Sequence, residues 1–261
     1  MKTVRLGNLV LGEGIPKICV PFVGKNEREL MEEAALCGES PADLAEWRAD
    51  WLEGLTEGAE EGHIAGRKRA ADVAAQLRDR LGGRPLLFTY RRRAEGGNGD
   101  ASLPVYESLI GEIIEERAAQ AVDVELSAGE EAVWRLTQKA RSRDVKVILS
   151  KHDFSKTLSK EEMLDSLKRM EALGADVAKI AVMPHSKKDV LTLLAATAEA
   201  SERLTLPVIT MSMGGQGLVS RLSGEVFGSC LTFGALRLAS APGQIDAGDL
   251  KRVLEVIHQA L

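Results

Sequence analysis

Short apolar runs alternate with longer stretches rich in Ala, Leu and Glu along almost the whole chain. The runs are KICVPF (17–22), LAEWRAD (44–50), PLLFTYR (85–91), AVDVELS (121–127), KVILSKH (146–152), VAKIAVM (177–183), LPVITMSM (206–213) and CLTFGAL (230–236). Each is strand-sized. Between them stand helical patterns: NERELMEEAALC, EEAVWRLTQKARS, SKEEMLDSLKRMEALG and SKKDVLTLLAATAEASERL, with DAGDLKRVLEVIHQAL closing the chain. Leu173-Gly174 supplies a glycine stop just before the run at 177–183. Ahead of this rhythm, TVRL, Gly7-Asn8 and LVLG read as a β-hairpin over about residues 3–11 with a two-residue turn. Eight strands with helices between them, over about 250 residues, predict an α/β (β/α)8 TIM barrel with an N-terminal β-hairpin. No Pro/Ser-rich linker divides the chain, so residues 1–261 are expected to form one domain. A doubly wound open sheet is the alternative. Its strands should be near-continuous apolar runs, whereas these carry many charges.

Strand side chains alternate faces, so the charges can be sorted. Glu46, Arg48 and Asp50 share one face of their run. Thr89 shares a face with Arg91, Asp123 with Glu125, and Ser150 with His152. Lys179 shares its face with Val177, Ala181 and Met183; Ile209, Met211 and Met213 line up on another strand. The opposite faces are apolar: Trp47 and Ala49, Leu86 and Phe88, Val147 and Leu149, and Ala178, Ile180 and Val182. In a barrel the apolar faces meet the helices, so the polar set points inward. Buried charges must be paired or solvated, and clusters near strand C-termini are where barrel active sites lie. Lys179 alone could be one half of a structural ion pair, and Arg48 beside Glu46 and Asp50 could be a structural network. Complementary groups from several strands on one face favour a site. His63, His185 and His258 lack such context and read as surface or loop positions. In Arg91-Arg92-Arg93 only Arg91 falls on the inward face; the other two are expected to be solvated.

Composition narrows the classes. The chain has 261 residues, 44% of them hydrophobic, and a net charge of -5 with both signs interspersed. No basic stripe points to nucleic acid, and no apolar run approaches membrane-spanning length. The first residues have no long apolar segment, so no signal peptide is expected. The three cysteines, Cys19, Cys37 and Cys230, form no CxxC pair. They read as buried small residues in a reducing compartment rather than a disulfide framework or zinc site. Gly214-Gly215-Gln216-Gly217 lacks the ending of a P-loop and reads as a strand-to-helix turn. Arg221 follows within about one turn of it, where a carboxylate or phosphate could be held.

No metal-ligand spacing and no dinucleotide fingerprint appear. The remaining toolkit is an amine and an imidazole. A lysine among apolar groups and other cations should be more easily deprotonated than usual, and its neutral amine could attack a ketone. His152 should titrate near neutral pH and could move the proton that an iminium acidifies. These residues imply lyase chemistry through an imine, either carbon–carbon cleavage or β-elimination, and leave the two open.

Several stretches together resemble the type I 3-dehydroquinate dehydratase family: EWRAD (46–50), FTYRRRAEGG (88–97), VDVELS (122–127), SKHDFSKT (150–157), GADVAKIAVMP (174–184), MSMGGQGLVSRLSGEVFGSCLTFG (211–234) and ASAPGQI (239–245). The resemblance implies a cytoplasmic, metal-free and cofactor-free barrel, typically a homodimer. It implies a hydro-lyase converting 3-dehydroquinate to 3-dehydroshikimate in the shikimate pathway of aromatic amino acid biosynthesis. By the resemblance, Lys179 forms the imine, His152 carries out the syn elimination and Glu95 orients the histidine. Glu46, Arg48 and Arg91 grip the ring hydroxyls, and Arg221 pairs with the substrate carboxylate. Met213 lines the pocket, and Ser240 and Gln244 close over the substrate as a lid. Two departures stand out. Pro21 ends strand one where some members carry a serine, and RRRAEGGNGDA has additional arginine.

Overall fold

The structure, a computed structural model, describes residues 2–56, 64–236 and 240–261. His63 lies outside them. Strands β1 (Val4–Leu6) and β2 (Leu9–Leu11) pair antiparallel, with Leu6 opposite Leu9. The turn between them has a positive φ at Gly7 and not at Asn8, as a turn with glycine at its first central position requires.

The eight predicted runs form β3 (Lys17–Phe22), β4 (Leu44–Arg48), β5 (Leu86–Thr89), β6 (Ala121–Glu125), β7 (Lys146–Asp153), β8 (Val177–Val182), β9 (Val208–Ser212) and β10 (Leu231–Phe233). They lie parallel in the order β10-β3-β4-β5-β6-β7-β8-β9. A bridge between Val208 and Ser229 and the bond from Cys230 N–H to Val208 O (2.9 Å) bring the two edges together. The sheet is thus a nearly closed barrel with flanking helices, a (β/α)8 fold.

The helices are α1 (Glu27–Glu39), α2 (Ile64–Arg80), α3 (Leu103–Glu115), α4 (Glu130–Arg143), α5 (Lys160–Ala172), α6 (Lys187–Arg203), α7 (Leu218–Leu222), α8 (Gly224–Phe227) and α9 (Ala247–Ala260). The sequence reading named five of these patterns and not α2, α3, α7 or α8. Two of those missed, α7 and α8, are single short turns, too brief for a 3.6-residue period to declare itself. Start signals are local on two of the helices that were read. Ser159 with Glu162 and Ser186 with Asp189 form capping boxes on α5 and α6. Gly174, at φ +87°, follows α5 as the predicted stop.

Alternation holds along every strand. Trp47, Phe88, Val147, Leu149, Ala178, Ile180 and Val182 join one cluster with helix residues such as Leu77, Ile110 and Leu193. A second cluster fills the barrel interior: Leu44, Leu87, Ala121, Ile148, Val177, Ile209 and Leu231. Leu6 and Leu11 of the hairpin join this inner cluster and are 1% and 0% exposed, so the hairpin plugs the end where the strands begin. Inward positions thus run from apolar at the strand starts to charged at their ends.

Pro21 fits β3 because of its register. Lys17 N–H bonds Cys230 O and Cys19 O accepts from Gly234 N–H, so the odd residues of β3 face β10. Phe233 opposite Cys19 is the last pair on that side. Proline's missing N–H therefore falls where the ladder has already ended.

If the hairpin is a plug rather than an ornament, Leu11→Ala should cost about 2–5 kcal/mol of stability by leaving a cavity. Chemical denaturation measures this; an unchanged midpoint would contradict the packing.

Candidate active site

At the end of the barrel where the strands finish, a cavity of about 40 Å³ is lined by Glu46, Arg48, Arg91, Glu95, Gly96, His152, Phe154, Lys179, Ala181, Met211, Met213, Phe233, Ser240, Ala241 and Gln244. Every site residue expected from the sequence lines it except Arg221. A larger groove, of about 450 Å³, lies among Lys2, Pro16, Pro207 and residues 224–230. None of the inward-facing charges lines it, so volume is a poor guide to the chemistry here.

Lys179 sits at the bottom of the cavity, 3% exposed. Its Nζ lies 3.2 Å from Asp123 Oδ2, 3.5 Å from Glu46 Oε1 and 4.7 Å from the centre of the Phe233 ring. This differs from the sequence expectation of an amine among apolar groups and cations. Carboxylates from β4 and β6 reach the same point of the barrel axis, so Nζ stands in an ion-pair geometry. Asp123 is the hub. It also pairs with Arg91 Nη2 at 2.8 Å and accepts from Ser150 Oγ at 2.6 Å. Burial alone would raise its carboxyl, but Arg91 and Lys179 outweigh it and hold it well below the usual carboxylate range. Glu46 Oε1 also accepts from Thr89 Oγ1 at 2.9 Å.

Arg91 is expected to grip substrate, yet its donors are largely engaged. Nη1 meets Glu125 Oε1 at 3.1 Å and Ser150 Oγ at 3.0 Å. Burial would weaken its charge, but Asp123, Glu125 and Glu95 overcome that and keep it firmly protonated. Arg48 is held flat by Asp50, with Nε at 2.8 Å and Nη2 at 2.7 Å. Asp50 itself leaves the strand. Residues Ala49–Trp51 form a 3-10 turn, which ends the alternation two residues earlier than LAEWRAD suggests. Arg92 departs from expectation too. It is part-buried, with Nε 2.6 Å from Glu125 Oε2 and its guanidinium 5.0 Å over the Tyr106 ring. Arg93 is exposed, as expected.

His152 Nδ1 lies 3.0 Å from Glu95 Oε2, and its backbone N–H donates to the same oxygen at 3.1 Å. A carboxylate at Nδ1 places the proton there and leaves Nε2 as the basic nitrogen. Glu95 Oε1 accepts from Ser127 Oγ at 2.5 Å. Burial raises the Glu95 carboxyl, while Arg91 at 3.6 Å and the Ser127 hydroxyl favour its charged form. His152 does not titrate near neutrality. Burial first, then Arg91 and Lys179, push its pKa well below the ordinary value. The strand pattern placed the imidazole correctly but could not count the cations around it. Gly96 (φ +78°) lets the turn carrying Glu95 pass the Phe154 ring, since an added Cβ would stand 2.2 Å from it.

Arg221 on α7 is 1% exposed and outside the cavity lining. Its Nη2 donates to Pro242 O at 3.1 Å, Nη1 lies 3.8 Å from Met211 Sδ, and Nε has no partner. No carboxylate among the described residues pairs with it, and burial pushes its pKa down to about 10. Gly215–Gly217 is the plain turn leading into α7. Ser240 N–H donates to Gln244 Oε1 (2.8 Å), and Gln244 Nε2 donates to Ser240 Oγ (3.1 Å). Pro242 O also accepts from Gly214 N–H, so this segment lies against the loop after β9. His185 and His258 are exposed. Among the described residues no group of three or more His, Cys, Asp or Glu is placed to hold a metal ion.

Phe154 and Phe233 in the lining went unassigned from the sequence, although each continues the inward alternation of its strand. Ala241 carried no signal. Asp123, Glu125, Thr89 and Ser150 were read as inward but given no partner, since pairing across strands needs the barrel's closure.

Fold and site together define a (β/α)8 barrel enzyme with a buried lysine and a carboxylate-held imidazole at the mouth of the barrel. The type I 3-dehydroquinase family model matches residues 18–260. A 3-dehydroquinate dehydratase of Clostridium novyi is 46% identical over the full length of both chains. One from Listeria welshimeri is 48% identical over 99% of each. A crystal structure of the type I enzyme from Clostridium difficile, with covalently modified comenic acid, superposes with a TM-score of 0.93 at 44% identity over all of both chains. The chain belongs to the type I 3-dehydroquinase family and is a hydro-lyase. Of the two lyase chemistries left open by the strand pattern, elimination is therefore the one that applies.

The lowered pKa of His152 has a direct consequence. The unfolded chain takes up a proton near the ordinary value of about 6.5, while the folded state resists it. The fold should therefore lose stability as pH falls below about 6.5, and not above it. NMR of the ring nitrogens should find His152 neutral at about pH 6; a titration midpoint at or above the ordinary value would contradict the site's electrostatics.

Proposed function

We propose that the protein dehydrates 3-dehydroquinate to 3-dehydroshikimate through a Schiff base on Lys179, as the third step of the shikimate pathway, in a single-domain cytoplasmic homodimer without metal or cofactor. The observation that carries the mechanism is the placement of Lys179 and His152 in one cavity between an acidic wall and an apolar one. On one side stand Glu46 and Asp123. On the other stand Phe233, Met211 and Met213. Among the described residues no helix is long and apolar enough to cross a membrane.

The Lys179 amine adds to the C3 ketone, and the proton its nitrogen gives up goes to the hydroxyl that departs as water. Loss of water gives an iminium, which withdraws electrons from the adjacent carbon. His152 takes a C2 proton on Nε2, with Glu95 at Nδ1 stabilising the imidazolium that forms. The imidazolium returns that proton to the departing C1 hydroxyl on the same face. Hydrolysis of the imine frees the enone, so one water is released overall. A neutral imidazole is the state this sequence needs at its start, in keeping with the depressed pKa of His152. Arg221, buried and without a carboxylate partner among the described residues, receives the substrate carboxylate. Glu46 and Arg48 hold the ring hydroxyls. Arg91 acts there with whatever donor capacity Asp123 and Glu125 leave it. Ser240 and Gln244 exchange their mutual bonds for bonds to substrate. The covalently modified comenic acid in the C. difficile relative is in keeping with a nucleophile in such a site.

Incubation with 3-dehydroquinate should produce the ultraviolet absorbance of a conjugated enone. Borohydride added during turnover should fix a ligand on Lys179, seen by mass spectrometry. Absence of both signals would sink this reading. Lys179→Ala should abolish turnover, and His152→Ala should slow it by at least about 100-fold. A fully active Lys179→Ala enzyme would refute the imine route.

A further inference from the structure

Asp50 has no place in the chemistry above, yet its carboxylate is the most completely bonded in the site. Its side chain is fully buried. Oδ1 accepts from Arg48 Nε (2.8 Å) and from Arg91 N–H (3.2 Å). Oδ2 accepts from Arg48 Nη2 (2.7 Å) and from Asn98 N–H (3.0 Å). Each oxygen thus holds one arm of a guanidinium and one backbone amide. The two amides are the two ends of a single turn. Within that turn Gly99 N–H bonds Arg91 O at 3.0 Å, and Arg93 N–H bonds Gly99 O at 2.8 Å. The turn carries Glu95, whose Oε2 meets the His152 ring. We propose that Asp50 is a positioning residue that sets two parts of the site at once: it fixes the Arg48 guanidinium toward substrate, and it clamps both ends of the turn that aims Glu95 at His152.

The physical case rests on saturation. A carboxylate has about four lone-pair directions, and here all four are taken by donors. Two of those bonds involve a charged partner in bidentate geometry, the strongest kind. The other two tie the end of β4 to a turn that follows β5, beyond Arg48 and Thr89, the last pair of the ladder between those strands. The turn has its own internal bonds, so its shape does not depend on Asp50. Its placement relative to β4 does. A small displacement of a group in contact with a reacting base is costly in rate.

This inference rests on the reading that His152 is the base and Glu95 its partner, and the test separates the two. Asp50→Asn keeps the size but turns one oxygen into a donor facing two donors. In the wild-type background it should raise KM, through Arg48, and lower kcat roughly 10- to 100-fold, through Glu95. In a Glu95→Gln background the same change should still raise KM but lower kcat little further. Unchanged constants, or an equal fold loss of kcat in both backgrounds, would overturn the clamp. Should Asp50→Asn fail to fold, hydrogen exchange on the wild-type protein still decides. The Arg91 and Asn98 amides should both be protected, and rapid exchange at Asn98 would overturn the proposal. Failure of the wild type to form the enone would instead count against the reaction, because amide protection is read without any chemistry.

Discussion

A buried lysine sets the terms for this barrel. Lys179 sits where water has almost no access, and leaving such a charge unpaired would be very costly. Asp123 and Glu46 answer it. Those carboxylates are themselves too buried to stand alone, so Arg91 answers Asp123, and Glu125 and Glu95 answer Arg91. The chain of compensation crosses β4, β5, β6, β7 and β8 before it reaches the His152 ring. Pairing of charges across five strands is therefore a structural requirement as much as a catalytic arrangement. It also explains why most of these side chains have fixed partners rather than free donors.

The barrel makes this affordable by dividing its interior. Near the strand starts the inward positions are apolar, and the hairpin leucines seal that end. Near the strand ends the same alternation delivers charges. Around the circumference there is a second division, with carboxylates and guanidiniums from β4 to β7 facing Met211, Met213 and Phe233 from β9 and β10. Lys179 on β8 lies at the boundary. One wall can stabilise its ammonium, while the other leaves room and low polarity for a carbon skeleton.

Much of this was legible because period-two alternation is a strong local rule. It sorted Trp47, Phe88 and Ile180 outward and Glu46, Asp123 and Lys179 inward, and the eight strand runs sit where the pattern put them. Where the rule stops was not legible. Asp50 and Ala49 fall in a 3-10 turn, because the chain must bend away once the ladder with β5 ends at Thr89. Arg92 was expected in solvent but turns back onto Glu125 and Tyr106, since a buried glutamate on a neighbouring strand is invisible from the local pattern. The family motifs named Glu95, Ser240 and Gln244, which alternation alone could not find because all three lie in connecting segments.

By itself the sequence determined the barrel, its inward-facing charges and the lysine and histidine among them, because these follow from spacing along one strand at a time. Tertiary structure decided what those groups are. The Lys179 nitrogen stands between two carboxylates rather than among apolar groups and cations, and burial with nearby cations pushes the His152 pKa down. Arg91 is mostly spoken for, while Arg221 has no carboxylate partner among the described residues. Each of these outcomes depends on which side chains from distant strands arrive at the same few ångströms, with water removed. Electrostatic interaction in that setting is set by distance and burial, and neither quantity exists until the barrel closes.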